Sequence, residues 1–155
     1  MTMTRTPRPT AIAAALALSL GGLSMTGCTS DDDQLAYQTD YANHQPLRVT
    51  GYPSVGSLRA VQQILWHLAD RNADALAALH TEDDDAGSKA RAWIKTYAKD
   101  AQGQVTADFE GEGSVRQEVV LHFAESRRTQ EITVRIDNET WGAILDTPNP
   151  APESP

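Results

Sequence analysis

Near Gly103 the apolar residues of this chain stop recurring every three or four positions and begin to alternate. The first period builds one face of a helix and the second builds one face of a strand, so the chain must pack helices made early against strands made late. Upstream, SVGSLRAVQQILWHLADRN places Leu58, Val61, Leu65 and Leu68 on one helical face with Ile64 beside them, and Ser54 or Ser57 is available as its cap. Asn72 and Asp74 interrupt and restart the chain, and DALAALH makes a short second helix that buries Leu76 and Leu79. The acids of TEDDDAG suit the start of a third helix, SKARAWIKTYAKDA, whose Ala90, Ile94, Tyr97 and Ala101 share a face with Trp93. Its Arg91, Lys95 and Lys99 form a basic stripe, read as a solvated face.

Downstream, Val105, Ala107 and Phe109 alternate, then Val119, Leu121 and Phe123, then Ile132, Val134 and Ile136. The segment GEG, Gly111 to Gly113, reads as a hairpin turn, Asp137-Asn138 as another, and TWGAIL as the last strand. Connections this short demand antiparallel neighbours, and one apolar face demands a cover on one side only. The predicted fold class is therefore α+β, with N-terminal helices packed on a curved four-stranded antiparallel sheet.

Composition sets the limits of that domain. Residues 29–45, TSDDDQLAYQTDYANHQ, are polar and acidic without an apolar period, which predicts a flexible acidic tether over residues 28–45. Its removal is then expected to leave the melting temperature unchanged. The run Asp31 to Asp33 lacks the interleaved spacing of a calcium loop and reads as solvated charge. Residues 46–146 make one domain, and the proline-rich end, residues 147–155, reads as a disordered tail. The formal net charge of −8 disfavours a phosphate backbone as partner, so no nucleic acid is expected.

The first residues read as an address. Arg5 and Arg8 precede an uncharged stretch, Ala11 to Met25, that is shorter than the roughly 20 residues a membrane-crossing helix needs. The following MTGC, Met25 to Cys28, resembles the lipobox of bacterial lipoproteins, although Met25 stands where that motif prefers leucine. The resemblance implies a signal peptide over residues 1–27, lipid attachment at Cys28, and a place on the extracytoplasmic face of the cell membrane. Cys28 is the only cysteine, so an internal disulfide is excluded. Two or three acyl chains on it would hold stably where a single one would not.

The order of helices before a meandering sheet, together with the D-x-x-A-D-A-L turn from Asp70 to Leu76, resembles the nuclear-transport-factor-2-like, cystatin-related superfamily. Similar small domains occur in lipoproteins of high-GC Gram-positive bacteria. The resemblance implies a conical pocket, used by some members for catalysis and by others for binding or dimerisation, so fold alone does not give function.

Candidate pocket residues are Trp66, Trp93, Tyr97 and Trp141, which read equally as core aromatics. An isomerase-like or dehydratase-like site would draw on Tyr97, His67, His80, His122 or the acids Asp83 to Asp85, with His44 set aside in the tether. His122 is out of phase with Leu121 and Phe123 and should face away from the helices; His80 reads as the end of the second helix. No two histidines have helical metal-ligand spacing, no serine stands in a nucleophile elbow, and no phosphate loop is present, so no metal or cofactor is expected. The leading expectation is a non-enzymatic envelope domain that binds a partner protein or a small apolar ligand. A small envelope enzyme and a homodimer paired through the exposed sheet face are the alternatives.

Overall fold

A computed structural model describes residues 30–150 apart from Asp83 and Glu112. The signal segment, Cys28 and residues 151–155 lie outside the described residues. The chain is α+β: α1 (Ser30–Asn43), β1 (Arg48–Gly51), α2 (Val55–Ala69), α3 (Ala73–Ala78), α4 (Ala86–Tyr97), a 3-10 turn (Asp100–Gln102), then β2 (Val105–Glu110), β3 (Arg116–Phe123), β4 (Arg128–Asp137) and β5 (Thr140–Ile144). Among the described residues no helix is long and apolar enough to cross a membrane.

The helices start where side chains can satisfy their first amides. Ser54 accepts from the Ser57 N–H at 3.0 Å, Asn72 from Ala75 at 3.1 Å and Asp85 from Ser88 at 2.9 Å. Of the two serines considered as caps for α2, Ser54 has the role. The α3 helix stops at Ala78, before His80, which instead forms an isolated parallel bridge to Ala143 of β5. That bridge brings the segment after α3 so close to β5 that a Cβ at Gly142 would crowd the Leu79 carbonyl and the Thr81 methyl.

The sheet has five strands in the order β1-β2-β3-β4-β5 and is mixed, which corrects the expected four-stranded antiparallel sheet. The last four strands do pair antiparallel, while β1 lies parallel to β2, Arg48 opposite Thr106 and Gly51 opposite Phe109. All four residues of β1 are exposed, so this edge strand carries no apolar alternation to betray it. The long crossover that a parallel pair needs is supplied by the three helices α2, α3 and α4.

The segment read as a flexible tether is the second difference. From Ser30 it forms α1, and its contacts explain why periodicity missed it: the attachment is aromatic and polar, centred on Tyr37 and the following His44. Tyr37 donates to Gln62 Oε1, its ring lies 5.2 Å from that of Trp66, and the Arg59 guanidinium sits 4.8 Å above it. His44 stacks on Trp66 at 5.6 Å. The start of the tail is held as well, since the Asn149 N–H donates to Gln130 Oε1 at 2.8 Å and to the Tyr97 hydroxyl at 3.0 Å.

The core fills the space between α2 to α4 and one face of the sheet. Val61, Ile64, Leu68, Leu76, Trp93, Tyr97, Val119, Leu121, Phe123, Ile132 and Val134 are all fully buried there. Arg91, Lys95 and Lys99 are exposed, as a solvated stripe should be. The other face of the sheet carries the out-of-phase residues, His122 among them, opposite Thr106 and Thr129.

Candidate functional site

The four aromatic residues read as a pocket divide into two places. Trp93 and Tyr97 are fully buried between α4 and the sheet, where Trp93 Nε1 donates to the Asp146 carbonyl at 2.6 Å. Tyr97 stacks flat on Phe123, ring centroids 4.8 Å apart, and donates its hydroxyl proton to Gln130 Oε1 at 2.7 Å. Burial raises the Tyr97 phenol above its ordinary value, so it stays protonated. Its hydrogen-bond partners are an amide side chain and a backbone N–H, and neither can exchange a proton with it as an acid or base.

The other buried polar groups are paired in the same way. Among the described residues every buried side-chain nitrogen or oxygen has a hydrogen-bond partner. Two of these, Gln117 and Gln130, occupy inward strand positions that sequence alternation assigns to apolar residues. Gln117 accepts from Ser57 Oγ at 2.7 Å and donates to the Tyr52 and Gly111 carbonyls at 3.1 Å, which ties the start of α2 to the sheet.

Trp66 and Trp141 lie elsewhere, along a groove of about 530 Å³ outside the core. The α1 residues Ala36, Tyr37 and Asp40 form one wall, Gly56, Arg59 and Gln63 of α2 form the floor, and Glu139 to Trp141 of the last hairpin form the other wall. The Trp141 indole lies against Gly56, where any Cβ would overlap the ring. Asn138 and Glu139 both adopt positive φ, 45° and 66°, which gives the tight hairpin turn that places Trp141 there. The groove joins aromatic surface to one cation and two carboxylates, a composition suited to an amphipathic ligand or a peptide segment. Tyr37 and Arg59 were not legible as site residues; the only sequence signal was an aromatic pair, Tyr37 and Tyr41, inside an acidic stretch.

Of the histidines only His44 and His67 lie near one another, with Asp70 beside both. His122 is exposed on the outer face of the sheet, and His67 lies beside α1, where burial holds its imidazole below the ordinary value against the pull of Asp40 and Asp70. His44 caps its own helix, donating from Nδ1 to the Asp40 carbonyl at 2.6 Å. His80, Glu82 and Asp84 come within reach of one ion, but His80 has no free ring nitrogen. The Leu145 N–H donates to its Nδ1 at 3.0 Å, which leaves Nε2 to donate to Asp84 Oδ1 at 2.7 Å. Lys89 already neutralises Asp84 at 2.5 Å and is the main reason that carboxyl is held below its ordinary value. The cluster reads as a hydrogen-bonded clasp between the end of α3 and the start of α4.

Comparison with protein-family models, curated proteins and solved structures finds no match to this chain.

Proposed function

We propose that this protein is a non-enzymatic, lipid-anchored domain of the cell envelope, held to the extracytoplasmic face of the membrane through Cys28, that binds an apolar or amphipathic ligand or a partner segment in the groove between α1, α2 and the β4-β5 hairpin. The observation that carries the binding reading is the contrast between the two aromatic sets. The space between the helices and the sheet is filled by Trp93, Tyr97 and Phe123, whereas the half-buried Trp141 lines an open groove with the edge of the otherwise covered Trp66. On the nuclear-transport-factor-2-like reading, the cone is filled and recognition has moved to its outer flank. The order of α2, α3 and α4 before a meander supports that reading, as does the bridge from His80 to the edge strand β5.

A fluorescent apolar probe such as N-phenyl-1-naphthylamine should bind the protein with micromolar affinity. The affinity should fall at least about tenfold in Trp141→Ala, the scale of one buried aromatic contact worth 1.4 kcal/mol or more. His122→Ala, on the far face of the sheet, should bind as the parent does. Equal binding by the parent and Trp141→Ala would remove the groove from the reading.

The anchor is tested separately. Cys28→Ser is expected to abolish acylation and to release the protein from the membrane fraction into the soluble one. A Ser variant that still partitions into the detergent phase would refute attachment at this residue.

A further inference from the structure

We infer that the end of the molecule carrying the open rim of the sheet is a membrane-facing surface, seated on the bilayer interface by Tyr52, Val55 and Val115 with Ile136 and Trp141 behind them. The inference rests on the lipid-anchored reading and adds to it an orientation and a second contact.

Its first support is a cluster of exposed apolar side chains. Tyr52 is 83% exposed, Val55 87% and Val115 64%. They are far apart in sequence, yet the strand register gathers them. Tyr52 follows the last residue of β1, and its carbonyl and that of Gly111 share Gln117 Nε2. The Val115 carbonyl accepts from the Ile136 N–H at 2.9 Å, and Ile136 is paired with Trp141, whose ring lies on Gly56 next to Val55. The β2-β3 turn, the β4-β5 turn and the first residue of α2 therefore share one end. Tyrosine and tryptophan with small aliphatics are the residues that settle at a headgroup interface.

The second support is where α1 begins. Tyr37 lies beside Arg59 and Gln62, and His44 beside Trp66 and Asp70, so α1 and α2 run in the same direction. Ser30 consequently starts at the same end as Val55. Two peptide steps separate Cys28 from Ser30 and reach no more than about 7 Å. An acylated Cys28 leaves the domain no long leash, and the end that must approach the bilayer is the end that exposes apolar side chains.

Charge decides which kind of contact this is. Glu110, Asp137 and Glu139 lie around the rim, with Arg116 and its cross-strand partner Arg135 beside them and Arg59 one turn along α2. The rim thus has no excess of cations and the net charge of −8 is repelled by anionic lipid, so the contact is made by apolar insertion. One consequence is that the groove, whose mouth includes Val55 and Trp141, opens toward the interface and takes its ligand from there.

The test uses the acylated full chain. Since lipid occupies Cys28, the single-cysteine variants Val115→Cys and Glu125→Cys can each be labelled with an environment-sensitive fluorophore and reconstituted in phosphatidylcholine vesicles with nitroxide-headgroup lipid. Glu125 sits in the β3-β4 turn at the opposite end of the sheet. The expected result is a blue-shifted, quenched label at 115 and an unquenched label at 125, with the quenching at 115 weakened by added anionic lipid at low salt. Equal quenching of both labels on protein that floats with the vesicles overturns the orientation and leaves the anchor standing. Failure to float refutes the anchor and the orientation together. Shielding of the label at 115 that needs no lipid and grows with protein concentration would identify a second copy as the occupant and overturn the membrane contact.

Discussion

Phe123→Ala is expected to cost about 3 to 5 kcal/mol, the range for emptying a fully buried aromatic site. Phe123 is 1% exposed and lies flat on Tyr97, with an angle of 7° between the rings. Its loss would remove the surface on which α4 rests and leave Tyr97 above a cavity, still tethered through its hydroxyl to Gln130. The neighbouring His122→Ala should cost roughly 0.5 kcal/mol or less, because its side chain is exposed on the opposite face. Denaturant unfolding of both variants, with the slope checked for constancy, measures the difference. A near-neutral Phe123→Ala beside a costly His122→Ala would mean that β3 is inverted, since a one-residue shift exchanges the two faces.

A protein that begins at Pro46 is expected to be less stable than one that begins at Cys28, by about 2 kcal/mol on the scale of burying one large apolar side chain. The reason is Trp66. It is 5% exposed, and two of the groups that cover it, the rings of Tyr37 and His44, come from α1 and the residue just after it. Without them the indole faces water and Gln62 loses the Tyr37 hydroxyl. For a domain of this size each kcal/mol is roughly 4 °C in melting temperature, so the effect is readily measured. Tryptophan emission should move to the red at the same time. An unchanged melting temperature would restore the tether reading, in which residues 29–45 contribute nothing to the fold.

The two predictions depend on different kinds of information. For Phe123, alternation in β2, β3 and β4 already separates an inward from an outward set, because a strand half-covered by helices must repeat every second residue. The helical faces of α2 and α4 were legible for the matching reason: Val61, Leu65, Leu68, Trp93 and Tyr97 recur at helical spacing, and each is buried. The antiparallel order of the last four strands followed from turns too short for anything else.

What only the tertiary structure decided are the contacts that carry no period. The four exposed residues of β1 join the sheet by backbone hydrogen bonds and by the Thr50 hydroxyl, which donates to Asp108 Oδ1 at 2.9 Å, and none of these contacts leaves an apolar pattern. The α1 segment attaches by two rings, Tyr37 and the following His44, which meet Arg59, Gln62 and Trp66 of α2 and are too few for an apolar stripe. Gln117 and Gln130 are polar residues in otherwise apolar inward rows, and they sit inside the core because Ser57, Tyr97 and distant backbone groups satisfy them. The split of the tryptophans has the same origin. Trp93 follows its own helix face into the core, whereas Trp66 and Trp141 border a groove that exists only where α1, α2 and a hairpin from the far end of the chain meet. Local periodicity records how one element meets its nearest layer, and a site assembled from three elements is written only in their packing.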